Sequence, residues 1–105
     1  MEYQFDSKKY ITKGIAETLS PELQLFLFSC IDTMRIKTDG QLDYLQVFRI
    51  ETVTENSISL LHICHEQEQP ECSMKYIVST DVIINCKIFV IDDVDHVTML
   101  LAEEY

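Results

Sequence analysis

The sequence predicts an α+β domain in which one main helix, over residues 20–37, packs on a mostly antiparallel sheet of five to six strands. Three observations predict it. The stretch SPELQLFLFSCIDTMRIK combines a helix start signal with a long apolar stripe, and the stretches after it are rich in β-branched and aromatic residues. Two of those stretches are joined by Glu55-Asn56-Ser57, a connection so short that it requires antiparallel pairing. A chain of 105 residues fits one domain, residues 1–105, and 47% apolar residues with two Gly and two Pro describe a chain that folds.

Residues 1–7 read as a loose start, and Lys9 to Ile15, KYITKGI, as a short strand in which Gly14 marks a bulge or a close backbone approach. The helix comes next. Ser20 suits the N-cap and Pro21 the first helical position, where its missing N–H costs nothing. Glu22 in the first turn and Arg35 and Lys37 in the last complement the helix dipole, and Thr38-Asp39-Gly40 ends the element. Leu23, Phe26, Leu27, Cys30, Ile31 and Met34 form one core-facing stripe. Leu25, Phe28 and Ile36 point away from it, so either the N-terminal segment or the sheet edge covers them, or they meet a partner.

Gln41 to Thr54 is too long for one unbroken alternation. Phe48, Ile50 and Thr52 share one face and Arg49, Glu51 and Val53 the other, whereas Leu45 and Val47 take the opposite parity from Tyr44. A bulge, or cover on both faces, would explain this. Ile58 to His65 completes a hairpin, Glu66 to Glu71 (EQEQPE) is a polar loop, and Met74 to Ser79 is a third strand. Thr80 to Asn85 is ambiguous, and Cys86 to Ile91 is another strand. Val97 to Tyr105 reads as a strand hairpinned to it through Asp93-Val94-Asp95-His96, although MLLAEE would equally suit a helix. A single helix covers one face of such a sheet, so the second needs cover from its own curvature, the N-terminus or a second subunit.

Composition narrows the function classes. A net charge of -10 with eight Lys or Arg speaks against direct nucleic-acid binding. No apolar run reaches the roughly 20 residues that span a bilayer, and the N-terminus lacks a basic start followed by an apolar run, which points to a cytoplasmic protein. Cys30, Cys64, Cys72 and Cys86 then read as reduced thiols. No cofactor or small-molecule substrate is indicated. Ser-His-Asp order, a Gly-rich phosphate loop and a paired Cys motif are all missing, which favours a non-enzymatic role.

Three clusters carry candidate chemistry. His62, Cys64, His65 and Cys72 are zinc-ligand types, but His62 and Cys64 share a strand face that His65 does not, and no C-x-x-C pair accompanies them, so the favoured reading puts Cys64 in the core and the histidines at half-exposed polar positions. Asp92, Asp93, Asp95 and His96 could hold a hard cation, yet they lack the Gly and bidentate Glu of a calcium loop and match ordinary turn composition. Glu66, Glu68 and Glu71 form a solvated loop or a partner contact. With Leu25, Phe28, Asp32 and Ile36 they make the leading expectation a protein-interaction module, binding another protein or a second copy. An acidic inhibitor or nucleic-acid mimic acting on a basic partner is the alternative, and a metal protein or enzyme using the Asp92-to-His96 cluster comes third.

KYITKGI, SPELQLFLFSCID, LDYLQVFRIE, HEQEQPE and KIFVIDDVDHVTMLLAEEY, in this order, resemble the successive motifs of a small bacterial family, also found in phage-related contexts, known as domain of unknown function family 960. The resemblance leads one to expect Tyr where Cys72 stands and Gly where Val94 stands. It implies no activity, substrate or catalytic residue.

Overall fold

A start signal, an apolar stripe and a stop fix the long helix, and the sheet is built around it. The computed structural model describes residues 3–105. The chain runs through β1 (Lys8–Ile11), α1 (Lys13–Thr18), α2 (Pro21–Lys37), β2 (Leu45–Glu55), β3 (Ile58–Gln67), β4 (Cys72–Ser79), β5 (Cys86–Asp92) and β6 (His96–Leu101), closing with a 3-10 turn over Ala102–Glu104. Ser20 Oγ accepts from the Leu23 N–H at 3.2 Å, which caps α2 as its sequence requires. Leu27, Cys30, Ile31 and Met34 are buried and Leu23 and Phe26 half-buried, so the stripe lies on the sheet.

The six strands form one sheet in the order β1-β6-β5-β2-β3-β4, antiparallel except for the parallel β1–β6 pair. Phe48, Ile50, Leu61, Ile63, Ile88, Val90, Val97 and Met99 meet the α2 stripe, with Ile15 and Leu19 closing one end. This is the α+β architecture expected, with six strands.

Several local expectations are corrected. KYITKGI is not one strand, because Thr12 Oγ1 accepts from the Ile15 N–H at 3.3 Å and turns the chain from β1 into α1. Gly14 therefore lies in a helix and not at a bulge. The close approach it signalled is there: a Cβ on Gly14 would meet the Glu104 carboxylate at 2.6 Å. Thr12 Oγ1 donates to Glu104 Oε1 at 2.6 Å and the Gly14 N–H to Oε2 at 3.2 Å, and the Thr12 bond leads the effects holding that carboxyl below its usual range.

β2 carries no bulge; its register with β3 and β5 is unbroken, so Leu45 and Val47 lie on the face opposite Phe48. Asn56 and Ser57, at φ 52° and 67°, make a two-residue hairpin turn. β3 runs on to Gln67, which takes Glu66 and Gln67 out of the predicted loop. Val97 to Tyr105 is strand as far as Leu101 and then a 3-10 turn, because the Glu104 carboxylate accepts from the Leu101 N–H at 2.8 Å. Of the loose start, Met1 and Glu2 lie outside the described residues. From Tyr3 the segment is tied down: Phe5 is buried and donates its N–H to Asp92 Oδ2 at 2.9 Å, Ser7 Oγ donates to the Val94 carbonyl at 2.7 Å, and Arg35 donates to the Gln4 carbonyl.

The core also holds a polar chain. His65 stacks on Phe48 with ring centroids 4.1 Å apart, and its Nε2 lies 2.7 Å from Gln46 Oε1. Gln46 Nε2 donates to the Asp43 carbonyl (2.9 Å) and to Gln67 Oε1 (2.7 Å), so its oxygen must accept. His65 is therefore the neutral tautomer protonated on Nε2, and its buried Nδ1 has no partner among the described residues. Burial pulls the His65 pKa from 6.5 down to about 4. Below pH 6.5 the unfolded chain binds a proton that the folded chain refuses until about pH 4, so stability falls as pH drops through that window. Urea unfolding at pH 7 and pH 4 should show the wild type losing on the order of 3 kcal/mol more than His65→Gln over that interval. Equal losses would show that His65 takes its proton freely in the fold.

Candidate functional site

The helices and the N-terminal segment cover one face of the sheet. On the other face β2 presents Leu45, Val47, Arg49, Glu51 and Val53, and its neighbours contribute residues of matching register. The 3-10 turn reaches one corner, where Tyr105 meets the edge of Phe89 with centroids 5.6 Å apart. Leu45, Val47, Leu60, Phe89 and Ile91 remain half-buried, and among the described residues no helix or strand lies across them.

Register builds a feature that no single segment carries. Lys87 pairs with Arg49, Arg49 with Cys64, and Cys64 with Lys75, which makes one row across β5, β2, β3 and β4. At the usual strand spacing the row spans about 14 Å. It gathers three of the eight Lys and Arg of a chain whose net charge is -10. His62 stands in the next row beside Glu51 and Ile77. Arg49 Nε is 2.8 Å from Glu66 Oε1, and Lys87 Nζ lies 5.4 Å from the centre of the Phe89 ring, where its stem shields apolar surface.

Two depressions share Arg49 and Lys87. One, of about 500 Å³, is lined by Glu51, His62, Cys64, Lys75 and Ile77; the other, of about 780 Å³, by Leu45, Val47, Phe89 and the Glu66–Glu71 rim. Such a surface can hold a mixed apolar and charged partner. Cys64 and His62 share the first depression without a hydrogen bond between them, and among the described residues no group of three or more His, Cys, Asp or Glu is arranged to hold a metal ion.

A family model described as a staphylococcal protein of unknown function (DUF960) matches residues 8–104. The chain belongs to this family. A crystal structure of a protein of unknown function from Enterococcus faecalis is similar at 23% identity and a TM-score of 0.66, over 100% of this chain and 98% of that one, which shows a shared fold. No curated protein matches. The DUF960 assignment brings no activity with it, so chemistry has to be read from the side chains.

The predicted site residues are divided between two sides of this DUF960 chain. Leu25 and Ile36 are 70% and 82% exposed on the outer side of α2, while Phe28 is half-buried in a shallow dent beside Phe5 and Lys9. Asp32 pairs with Arg35 at 2.6 Å. Glu66, Glu68 and Glu71 rim the larger depression on the opposite face, so they form no common site with the helix residues. The expected places of Cys64 and His65 are reversed: His62 and Cys64 lie on the open face, where Cys64 is half-buried, while His65 is in the core because it shares parity with Leu61 and Ile63.

Asp92, Asp93 and His96 make a hairpin turn. Asp92 Oδ2 accepts from the Phe5 N–H at 2.9 Å and Oδ1 from the Val94 N–H at 2.8 Å. Asp93 Oδ1 accepts from the His96 N–H at 3.0 Å, and its Oδ2 lies 2.9 Å from His96 Nε2. Asp95 is exposed. All four oxygens of Asp92 and Asp93 are engaged within the fold. Sequence reading missed the basic row because Arg49, Cys64, Lys75 and Lys87 lie on four strands and meet only through register.

Val94 sits at φ 81°, a region that costs a β-branched residue roughly 1–3 kcal/mol. Val94→Gly should therefore raise stability by about 1 kcal/mol after allowing for the greater freedom of glycine in the unfolded chain. Chemical unfolding at neutral pH measures it; a loss of stability would mean that the Val94 side chain contributes more than its backbone strain costs.

Proposed function

We propose that this DUF960 protein is a non-enzymatic protein-interaction module that takes its partner on the helix-free face of its sheet. The row Lys87–Arg49–Cys64–Lys75 carries the reading, because it sets positive charge across half-buried apolar surface in an otherwise acidic chain. That pattern suits a protein surface with an apolar centre and carboxylates placed to meet the row; the apolar part supplies affinity and the charges orientation and speed of association. The mimic alternative gains no such support. Carboxylates lie on α1 (Glu17), α2 (Glu22, Asp32), β2 (Glu51, Glu55), the β3–β4 loop and the β5–β6 turn, which is a distribution without a single acidic face.

Purified wild type and the double variant Arg49→Glu/Lys87→Glu, immobilised at equal density, provide the test in a lysate of the source bacterium. Both substituted positions are exposed, so the two proteins should melt alike. A protein that the wild type retains should be identified and purified, and should bind the variant at least about tenfold more weakly, with affinity that falls as salt rises. A partner that binds both alike, or a lysate from which the wild type retains nothing, overturns the assignment to this face.

A further inference from the structure

The sheet ends in two very different edges. β1 is four residues long and carries Lys8 and Lys9, the short and charged form in which natural sheets blunt an edge. β4 is eight residues long, has no proline and has one lysine, Lys75. It pairs with β3 alone. Among the described residues, none of the outward N–H and C=O groups of Cys72–Ser79 has a hydrogen-bond partner beyond β3. Exposed apolar residues surround this edge: Ile77, Val82 and Ile83 are 61%, 53% and 76% exposed. A groove of about 550 Å³ opens beside its C-terminal half, walled by Leu23 and Phe26 of α2 and by Val78, Val82 and Ile84.

We infer that β4 pairs antiparallel with β4 of a second copy, about a two-fold axis at Tyr76, joining two sheets into one. The unpaired edge backbone points to an extended strand as the occupant. Of the symmetric registers, those centred on Lys75 or Tyr76 pair the most of the eight residues of β4, and its sequence favours the second. An isologous antiparallel pair must centre on a residue, because facing side chains share a side of the sheet. Centring on Lys75 would set Lys75 against Lys75 of the second copy, a like-charge pair directly opposite.

Centring on Tyr76 removes that conflict. Lys75 then faces Ile77 of the second copy and Ser73 faces Ser79, while on the helix side Tyr76 faces Tyr76 and Met74 faces Val78. Met74 arrives at the mouth of the groove, where a flexible thioether can fill space between Leu23, Phe26 and Val78. Charge and apolarity are thus self-complementary in one of these two symmetric registers. This inference concerns the strand edge and stands apart from the reading of the open face.

Light scattering over a wide concentration range tests the association, and paired cysteines test its register. The wild type should pass from monomer to dimer as concentration rises, while Ile77→Pro, which removes one edge N–H, should remain monomeric. Under mild oxidation Ser73→Cys/Ser79→Cys should form a covalent dimer whose intermolecular disulfide joins the two introduced positions, as read by peptide mass mapping. Lys75→Cys alone should not crosslink to itself. A wild type that stays monomeric to millimolar concentration, or a dimer in which β4 amides exchange with solvent as fast as in the monomer, overturns the pairing. Efficient Lys75→Cys self-crosslinking without the Ser73–Ser79 product overturns the register.

Discussion

The arrangement depends on a mismatch between one long helix and a two-sided sheet. The 17 residues of α2 extend about 25 Å and, with α1 and the segment around Phe5, close one face of six strands. Among the described residues, nothing of similar size lies on the other face. Its central positions are nevertheless Leu45, Val47, Phe89 and Ile91, and water is kept partly away from them by side chains rather than by another layer. The Lys87 ammonium lies by Phe89, Tyr105 stands against the same ring, and Arg49 reaches across to Glu66. A second protein can displace these contacts at low cost, since exposed ion pairs of this kind contribute only about 0–1 kcal/mol.

Charge placement follows the same division. The chain carries eighteen acidic residues against eight basic ones, and the acidic residues are distributed over helices, strands, loops and turns. The row of Lys87, Arg49 and Lys75 concentrates three of the eight basic side chains, but Glu66 pairs with Arg49 and Glu51 stands in the next row, so its effect on an approaching surface is short-ranged, within the roughly 8–10 Å that ions at physiological strength allow. Orientation, more than long-range attraction, is what such a row supplies.

Much of the fold was legible because local chemistry and tertiary need agree. Ser20, Pro21 and the stripe from Leu23 to Met34 specify α2 almost to the residue, and Asn56-Ser57 specifies a hairpin. The misreadings have physical causes. In KYITKGI the β-branched residues masked Thr12 as a helix cap, and the Glu104 carboxylate that also holds its hydroxyl lies 92 residues away. The parity of Leu45 and Val47 suggested a bulge because apolar residues on both faces of a strand imitate a register shift, and the structure resolves it as an open apolar face. His65 passed for a half-exposed polar position and Gln67 for a loop residue, since polar side chains in a core look like surface ones in sequence; the available signs were that Gln46 shares parity with Phe48 and Ile50, and His65 with Leu61 and Ile63. Of the candidate site, the Glu66–Glu71 rim was readable and the basic row was not, because strand register is a property of the whole sheet.

That polar chain also bears on the open face, from behind. Gln67 Nε2 donates to the Gln41 and Pro70 carbonyls, its Oε1 accepts from the Asp43 N–H at 3.0 Å, and Asp43 Oδ2 accepts from the Gln69 N–H at 3.0 Å. The loop bearing Glu68 and Glu71 is thus anchored at both ends to a glutamine that is itself held in the core by Gln46 and His65. Fixing a backbone residue costs about 1–2 kcal/mol, so for the proposed partner on this face a rim already held would spare the complex part of that ordering cost. Hydrophobic side chains at positions 46, 65 and 67 would pack the core with less risk of unsatisfied groups, but they would leave the carbonyls of Gln41 and Pro70 and the N–H of Asp43 without their present partners. The buried polar residues are placed where the core has to hold a loop as well as fill space.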